Sequence, residues 1–138
     1  MIREVVCGLI IEDKKLLVAR KEVGGKSSWI LPGGKIERGE HPYEGLVREL
    51  KEELPYMKWD GLWVPWQYFT GISPNNKSPI RVLAFYLDGK TNGDYRPSER
   101  ADEPIKETRL VDCLDLLKLG LSDVSREMVY KLQQERRI

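Results

Sequence analysis

The chain has almost no sulfur and almost no imidazole. Cys7 and Cys113 are its only cysteines among 138 residues, and His41 is its only histidine. Two cysteines so far apart give neither a disulfide framework nor thiolate metal spacing, and they read as small buried hydrophobes. One histidine excludes a His-rich zinc site. Charge of one sign is also lacking: the formal net charge is +1, so no global basic field points to nucleic acid. No apolar run approaches the roughly 20 residues of a membrane span. Residues 1–6 lack the apolar run of a signal peptide, so a cytoplasmic enzyme is the default expectation. What remains is ordinary for one globular domain over residues 1–138: 41% apolar and 33% charged residues, with acids clustered between Glu37 and Glu53.

Val5 to Ile11 reads as a buried strand, Glu12–Lys15 as a turn, and Leu16 to Ala19 as the second arm of a hairpin. Lys21 to Ser28 reads as a loop punctuated by Gly24-Gly25. Trp29-Ile30-Leu31 is a short apolar piece stopped by Pro32-Gly33-Gly34. His41-Pro42 opens a helix that Pro55 ends. Leu62 to Ile72 suits a strand, with Pro65 demanding an edge or a bulge. Residues 73–79 read as a turn, Ile80 to Leu87 as a strand, and Gly89 to Glu103 as a long loop. A last strand over Lys106–Val111 precedes a short helix over Leu114–Leu119. A terminal helix then runs from an N-cap at Ser122 to Gln134. Strands outnumber helices without alternating regularly with them. The expected class is α/β in the broad sense, more narrowly α+β: a mixed sheet with helices packed on it.

The chemistry concentrates in residues 42–54. At about 100° per residue, Leu46, Val47, Leu50 and Leu54 share one apolar arc, and Glu49, Glu52 and Glu53 share the adjoining one. Carboxylates three and four apart repel unless something neutralises them, and hard carboxylate oxygens suit Mg²⁺ or Mn²⁺. Gly45 lies on the acidic arc, where a mid-helix glycine costs about 1 kcal/mol relative to Ala. Room for a ligand or an approaching backbone is one reason to tolerate it. Arg48 can clamp the acids around it.

The order Gly34, five residues, Glu40, seven residues, Arg48-Glu49-Leu50-Lys51-Glu52-Glu53 resembles the Nudix box, as does the lead-in Trp29 to Gly33. One position departs from the pattern: Pro55 stands where the family carries Gly. The resemblance implies a mixed β-sheet sandwiched between helices. It also implies metal-dependent hydrolysis of a nucleoside diphosphate linked to another group. By position, Glu52 and Glu53 are implied metal ligands, Glu49 a ligand or the base for water, and the Gly33 carbonyl a further ligand. Glu40 supports the loop, and Arg48 joins the catalytic set by holding the acids. Glu103 is a candidate for the family's late extra acid, and Arg20 and Lys35 are candidate partners of a substrate phosphate.

Since Pro cannot adopt the left-handed turn, the helix is expected to stop by Leu54 and leave by a different path, with consequences for the aim of Glu52 and Glu53. The expected partner is a nucleotide, most simply a modified nucleoside triphosphate, in preference to a nucleic acid or a membrane. An ADP-sugar or dinucleoside polyphosphate hydrolase, and a non-catalytic nucleotide- or RNA-sensing domain, are the alternatives. Trp63, Trp66, Tyr68 and Phe69 offer either a base-stacking platform or core, and the aromatic 59–69 region is the first candidate for a homodimer surface.

Overall fold

The computed structural model describes residues 2–73 and 77–138. The centre of the turn expected at 73–79 lies outside the described residues. Among these residues two four-stranded sheets form the middle of the fold. In the first, β1 (Arg3–Leu9) is central. It pairs parallel with β7 (Pro79–Asp88) and antiparallel with the short β5 (Gly33–Lys35), and β6 (Leu62–Ile72) forms the far edge beside β7. The second is built on β3 (Lys15–Val23), which pairs with β2 (Ile11–Glu12), β4 (Lys26–Ile30) and β8 (Ile105–Val111). Among the described residues three helices complete the fold: α1 (Pro42–Glu53), α2 (Cys113–Leu116) and α3 (Asp123–Gln134).

Strand alternation splits the core in two. Cys7, Leu9, Val82 and Ala84 face α3, with Val124, Met128 and Leu132. Val6, Leu83 and Phe85 face α1, with Leu46, Leu50 and Leu54. The mixed sheet is thus covered by a helix on each side. That explains why Val5 to Leu9 is apolar at every position: a strand buried on both faces has no polar side to show.

Two sequence expectations change. The opening hairpin is much shorter than expected, because the chain breaks at Ile10. Only Ile11 and Glu12 pair with β3, through a turn with Asp13 and Lys14 at φ +51° and +62°. β1 itself takes its hydrogen bonds from β5 and β7 in the other sheet. Second, residues 21–28 are not a loop. β3 continues to Val23 and returns as β4 through Gly24-Gly25, both with positive φ, as a two-residue hairpin turn requires. This arm is polar and largely exposed, so it carries no apolar alternation to betray it. Elsewhere the expected elements appear. Pro65 sits on an edge strand and also at a bulge, with Trp66 the extra residue between Pro65 and Gln67.

Candidate active site

The start of α1 is closed by its immediate neighbours. His41 is the N-cap, its Nδ1 accepting the Tyr43 N–H at 3.1 Å, while Glu44 accepts the His41 N–H at 3.2 Å. His41 is therefore a helix-start residue. Pro42 fills the first helical position, where no N–H is missed. Leu46 and Leu50 are fully buried and fix the rotation of the helix about its axis.

Arg48 ties this helix to the glycine loop. Its guanidinium donates twice to Glu40, at 2.8 and 3.0 Å, once to Glu49 at 2.9 Å, and once to the Lys35 carbonyl at 3.0 Å. Those bonds, with the Glu37 N–H, hold the Glu40 carboxyl down at about 2. Gly45 does not open room for a ligand. A Cβ there would lie 3.0 Å from a Glu40 oxygen, so the missing side chain makes way for Glu40 itself.

The carboxylates differ sharply in their surroundings. Glu53 is only 6% exposed, and its Oε1 accepts the Gly33 N–H at 2.9 Å. Burial pushes its pKa well above the ordinary carboxylate range; Glu49 and Glu103 add to the rise, and the Gly33 bond and Lys21 oppose it. Glu49 is half buried and also raised, by burial first, against the Arg48 hydrogen bond. Glu103 is 6% exposed, accepting the Ile105 N–H at 3.3 Å. Its charge is felt by both other acids, which puts this late-loop residue in the same cluster. Glu52 is half exposed, 3.7 Å from Arg48.

Gly33 is sterically required by neighbouring backbone, and Gly34 leaves the room that the Glu49 carboxyl occupies. A Cβ on Gly34 would meet the Glu49 carboxyl carbon at 2.4 Å. One on Gly33, at φ +153°, would meet the Val6 carbonyl oxygen at 2.0 Å. Among the described residues no three acidic, His or Cys side chains are already grouped at metal-holding distance. The donor set nonetheless fits a hard divalent cation. Buried, mutually repelling carboxylates with few donors are stabilised by a cation whose preferred ligands are oxygens.

A cleft of about 170 Å³ opens beside Gly33 and Gly34, between the two sheets and α3. Val5, Cys7, Ile80, Val82 and Met128 line its walls, and Arg3, Lys21 and Lys35 are its cations. None of these three forms an ion pair among the described residues. Arg20 does not line the cleft: Glu22 and Glu107 take its guanidinium. Lys21, next along β3 and so on the opposite face, lines it instead. Sequence reasoning missed Lys21 because it ended the strand at Ala19; period-two alternation would have separated the two cations. The aromatic stretch supplies no platform here. Trp63 and Phe69 are core, Trp66 donates to Glu135, and Tyr68 lies under Arg81.

A family profile described as NUDIX domain matches residues 1–132. The chain belongs to the Nudix family. It is 31% identical over 107 residues to an 8-oxo-dGDP phosphatase of Homo sapiens, covering 73% of this chain and 31% of that one. It is 38% identical over 80 residues to an ADP-ribose pyrophosphatase of Methanocaldococcus jannaschii, covering 57% and 38%. The matches span about a third to a half of the length of such curated relatives. Among solved structures, a MutT NUDIX hydrolase from Burkholderia pseudomallei superposes with a TM-score of 0.76 at 21% identity, covering 94% of this chain and 97% of that one. The NUDIX domain of Shewanella oneidensis NrtR, complexed with ADP ribose, gives 0.68 at 14%, covering 98% and 88%. At these identities the structures show that this Nudix domain shares their fold. No described helix is long and apolar enough to cross a membrane.

Proposed function

We propose that this Nudix domain is a divalent-metal-dependent pyrophosphohydrolase. It would cut a phosphoanhydride in a nucleoside diphosphate linked to another group, with a modified nucleoside triphosphate the first substrate to test. One observation carries this reading: the buried Glu53, with Glu49 and Glu103 beside it, adjoins a cleft whose charged lining is cationic. Acids alone would repel a diphosphate, and cations alone would bind it without cutting it.

Glu49, Glu52, Glu53 and Glu103, with the Gly33 carbonyl, are the residues that would hold Mg²⁺ or Mn²⁺. Such an ion polarises phosphoryl oxygens and lowers the pKa of bound water. Lys21 and Lys35, with Arg3, draw the phosphates along the cleft toward Gly33. Arg48 orients Glu49, which serves as a ligand or as the acceptor of the water proton. The apolar walls take the less polar part of the substrate. Relatives named for 8-oxo-dGDP, CTP and RNA substrates support the nucleotide class. An ADP-sugar substrate is the second reading, supported by the ADP-ribose pyrophosphatase relative and the ADP-ribose complex.

The test is a panel. The protein is incubated with Mg²⁺ or Mn²⁺ and nucleoside triphosphates, 8-oxo-dGTP, ADP-ribose, dinucleoside polyphosphates and coenzyme A, with products identified by mass. Hydrolysis at a phosphoanhydride is expected for at least one. Failure with all of them would leave a nucleotide-binding domain as the better account.

A further inference from the structure

The C-terminal end of α1 lacks the usual means of closing a helix. Pro55 cannot take the left-handed conformation, and Leu54 leaves the helix at φ −126°, ψ 66°. The last carbonyls of a helix need outside donors. Met57 supplies one to Leu54 at 3.1 Å. The donor to Glu53 comes from the long loop before β8: the Ser98 N–H meets the Glu53 carbonyl at 3.1 Å.

That loop is anchored to the chain just beyond Pro55. Asn92 donates through Nδ2 to the Tyr56 carbonyl at 3.1 Å, and its Oδ1 accepts the N–H groups of Lys58 and Asp94, each at 3.1 Å. Arg96 lies 4.3 Å over the Tyr56 ring, held by Asp94 at 2.9 and 2.8 Å. Past Ser98 the same strap continues through the Arg100 carbonyl, which accepts the Glu103 N–H at 3.1 Å. One piece of chain therefore touches the backbone of Glu53 and carries the carboxylate of Glu103.

We propose that residues 92–98 are a positioning strap, replacing the glycine turn that Pro55 excludes and fixing the last turn of α1 against Glu103. None of residues 92–98 lines the cleft beside Gly33 and Gly34; the strap acts through Glu53. This rests on the metal-site reading above, so its test measures metal binding and not turnover alone.

The test is Mn²⁺ titration by calorimetry on the full chain, below each variant's melting temperature. Ser98→Pro deletes the N–H donor, and Asn92→Ala frees the anchor should the first variant fold poorly. Each is expected to weaken Mn²⁺ binding about 10–100-fold, the scale of lost outer-shell support. Each should lower kcat more than it raises KM. Pro55→Gly then separates positioning from general stability. It lets the helix close itself, so Asn92→Ala should cost at least several-fold less Mn²⁺ affinity in that background. Unchanged Mn²⁺ affinity in folded Asn92→Ala, or an equal loss in both backgrounds, overturns the strap while leaving the enzyme reading intact. No Mn²⁺ binding by the parent protein overturns both.

Discussion

At its N-terminus α1 is closed by residues that adjoin it in sequence, whereas at its C-terminus Met57 serves only Leu54 and the Glu53 carbonyl is closed by a loop far downstream. His41, Pro42 and Glu44 satisfy the first turn among themselves, and Arg48 grips Glu40 just before it. The last turn depends on Ser98 and on the Asn92 and Arg96 anchors behind it. The proposed chemistry lies at the second of these ends. The C-terminal half carries Glu49, Glu52 and Glu53, and it also reaches the glycine loop, through Arg48 to the Lys35 carbonyl and through Glu53 to the Gly33 N–H. The end that must aim charges is the end fixed by tertiary contacts, which local sequence does not specify.

The difference can be broken hardest at Glu53. Glu53→Gln keeps an oxygen for the Gly33 N–H but removes the charge. It is expected to lower kcat by about 10³-fold or more while the fold persists. Mn²⁺ at about 100 times its Kd should stabilise the parent by about 2.7 kcal/mol, raising Tm by about 5–10 °C. It should leave the Tm of Glu53→Gln nearly unmoved. An equal Tm rise in both proteins would remove Glu53 from the metal site.

Gly34→Ala comes next, because its Cβ would stand 2.4 Å from the Glu49 carboxyl carbon. Glu49 can swing aside, so unfolding should lose only about 1 kcal/mol, the scale of its hydrogen bond to Arg48, while kcat falls about 10–100-fold through the displaced Glu49. Retention of full activity would mean that Glu49 need not hold its position against the loop. His41→Ala probes the self-sufficient end. Loss of the cap should cost about 1 kcal/mol, read from urea unfolding, with kcat and KM unchanged below Tm. A large fall in kcat would show that the two ends are not separable.

The N-terminal end was legible because its signals are local: a Pro at the first helical position, an apolar arc, and Glu40 and Arg48 at fixed spacing. The strand pairs flanking β1 were much less so. Its partners β5 and β7 lie well apart in sequence, and the apolar run at Val5–Leu9 marks a strand buried on both faces without naming its partners. The polar arm at residues 21–28 hid for the opposite reason, since both of its faces meet water and no alternation is imposed. Lys21 was lost with it. At the C-terminal end, Pro55 announced that the helix must stop by Leu54, as it does. Nothing near it announced Ser98, because a backbone N–H carries no residue-type signature. Family position alone points to Glu103; its proximity to Glu49 and Glu53 is a tertiary fact.

The smallest effect tests whether the Glu40–Arg48 grip contributes to stability through charge. The folded carboxyl of Glu40 is held at about 2, below its ordinary value of 4.5. A depressed carboxylate stabilises the folded state fully above the unfolded pKa, and that contribution drains away as pH falls through the folded one. Glu40→Gln keeps an acceptor for Arg48 but cannot ionise. The Tm gap between parent and variant should therefore be constant from pH 7 to about 5 and shrink steadily from there toward pH 2. A gap that holds from pH 7 down to pH 3 would mean that shape and hydrogen bonding, not charge, bind the loop to the helix. The N-terminal end would then be closed by geometry alone, and the contrast with the charge-bearing C-terminal end would be sharper still.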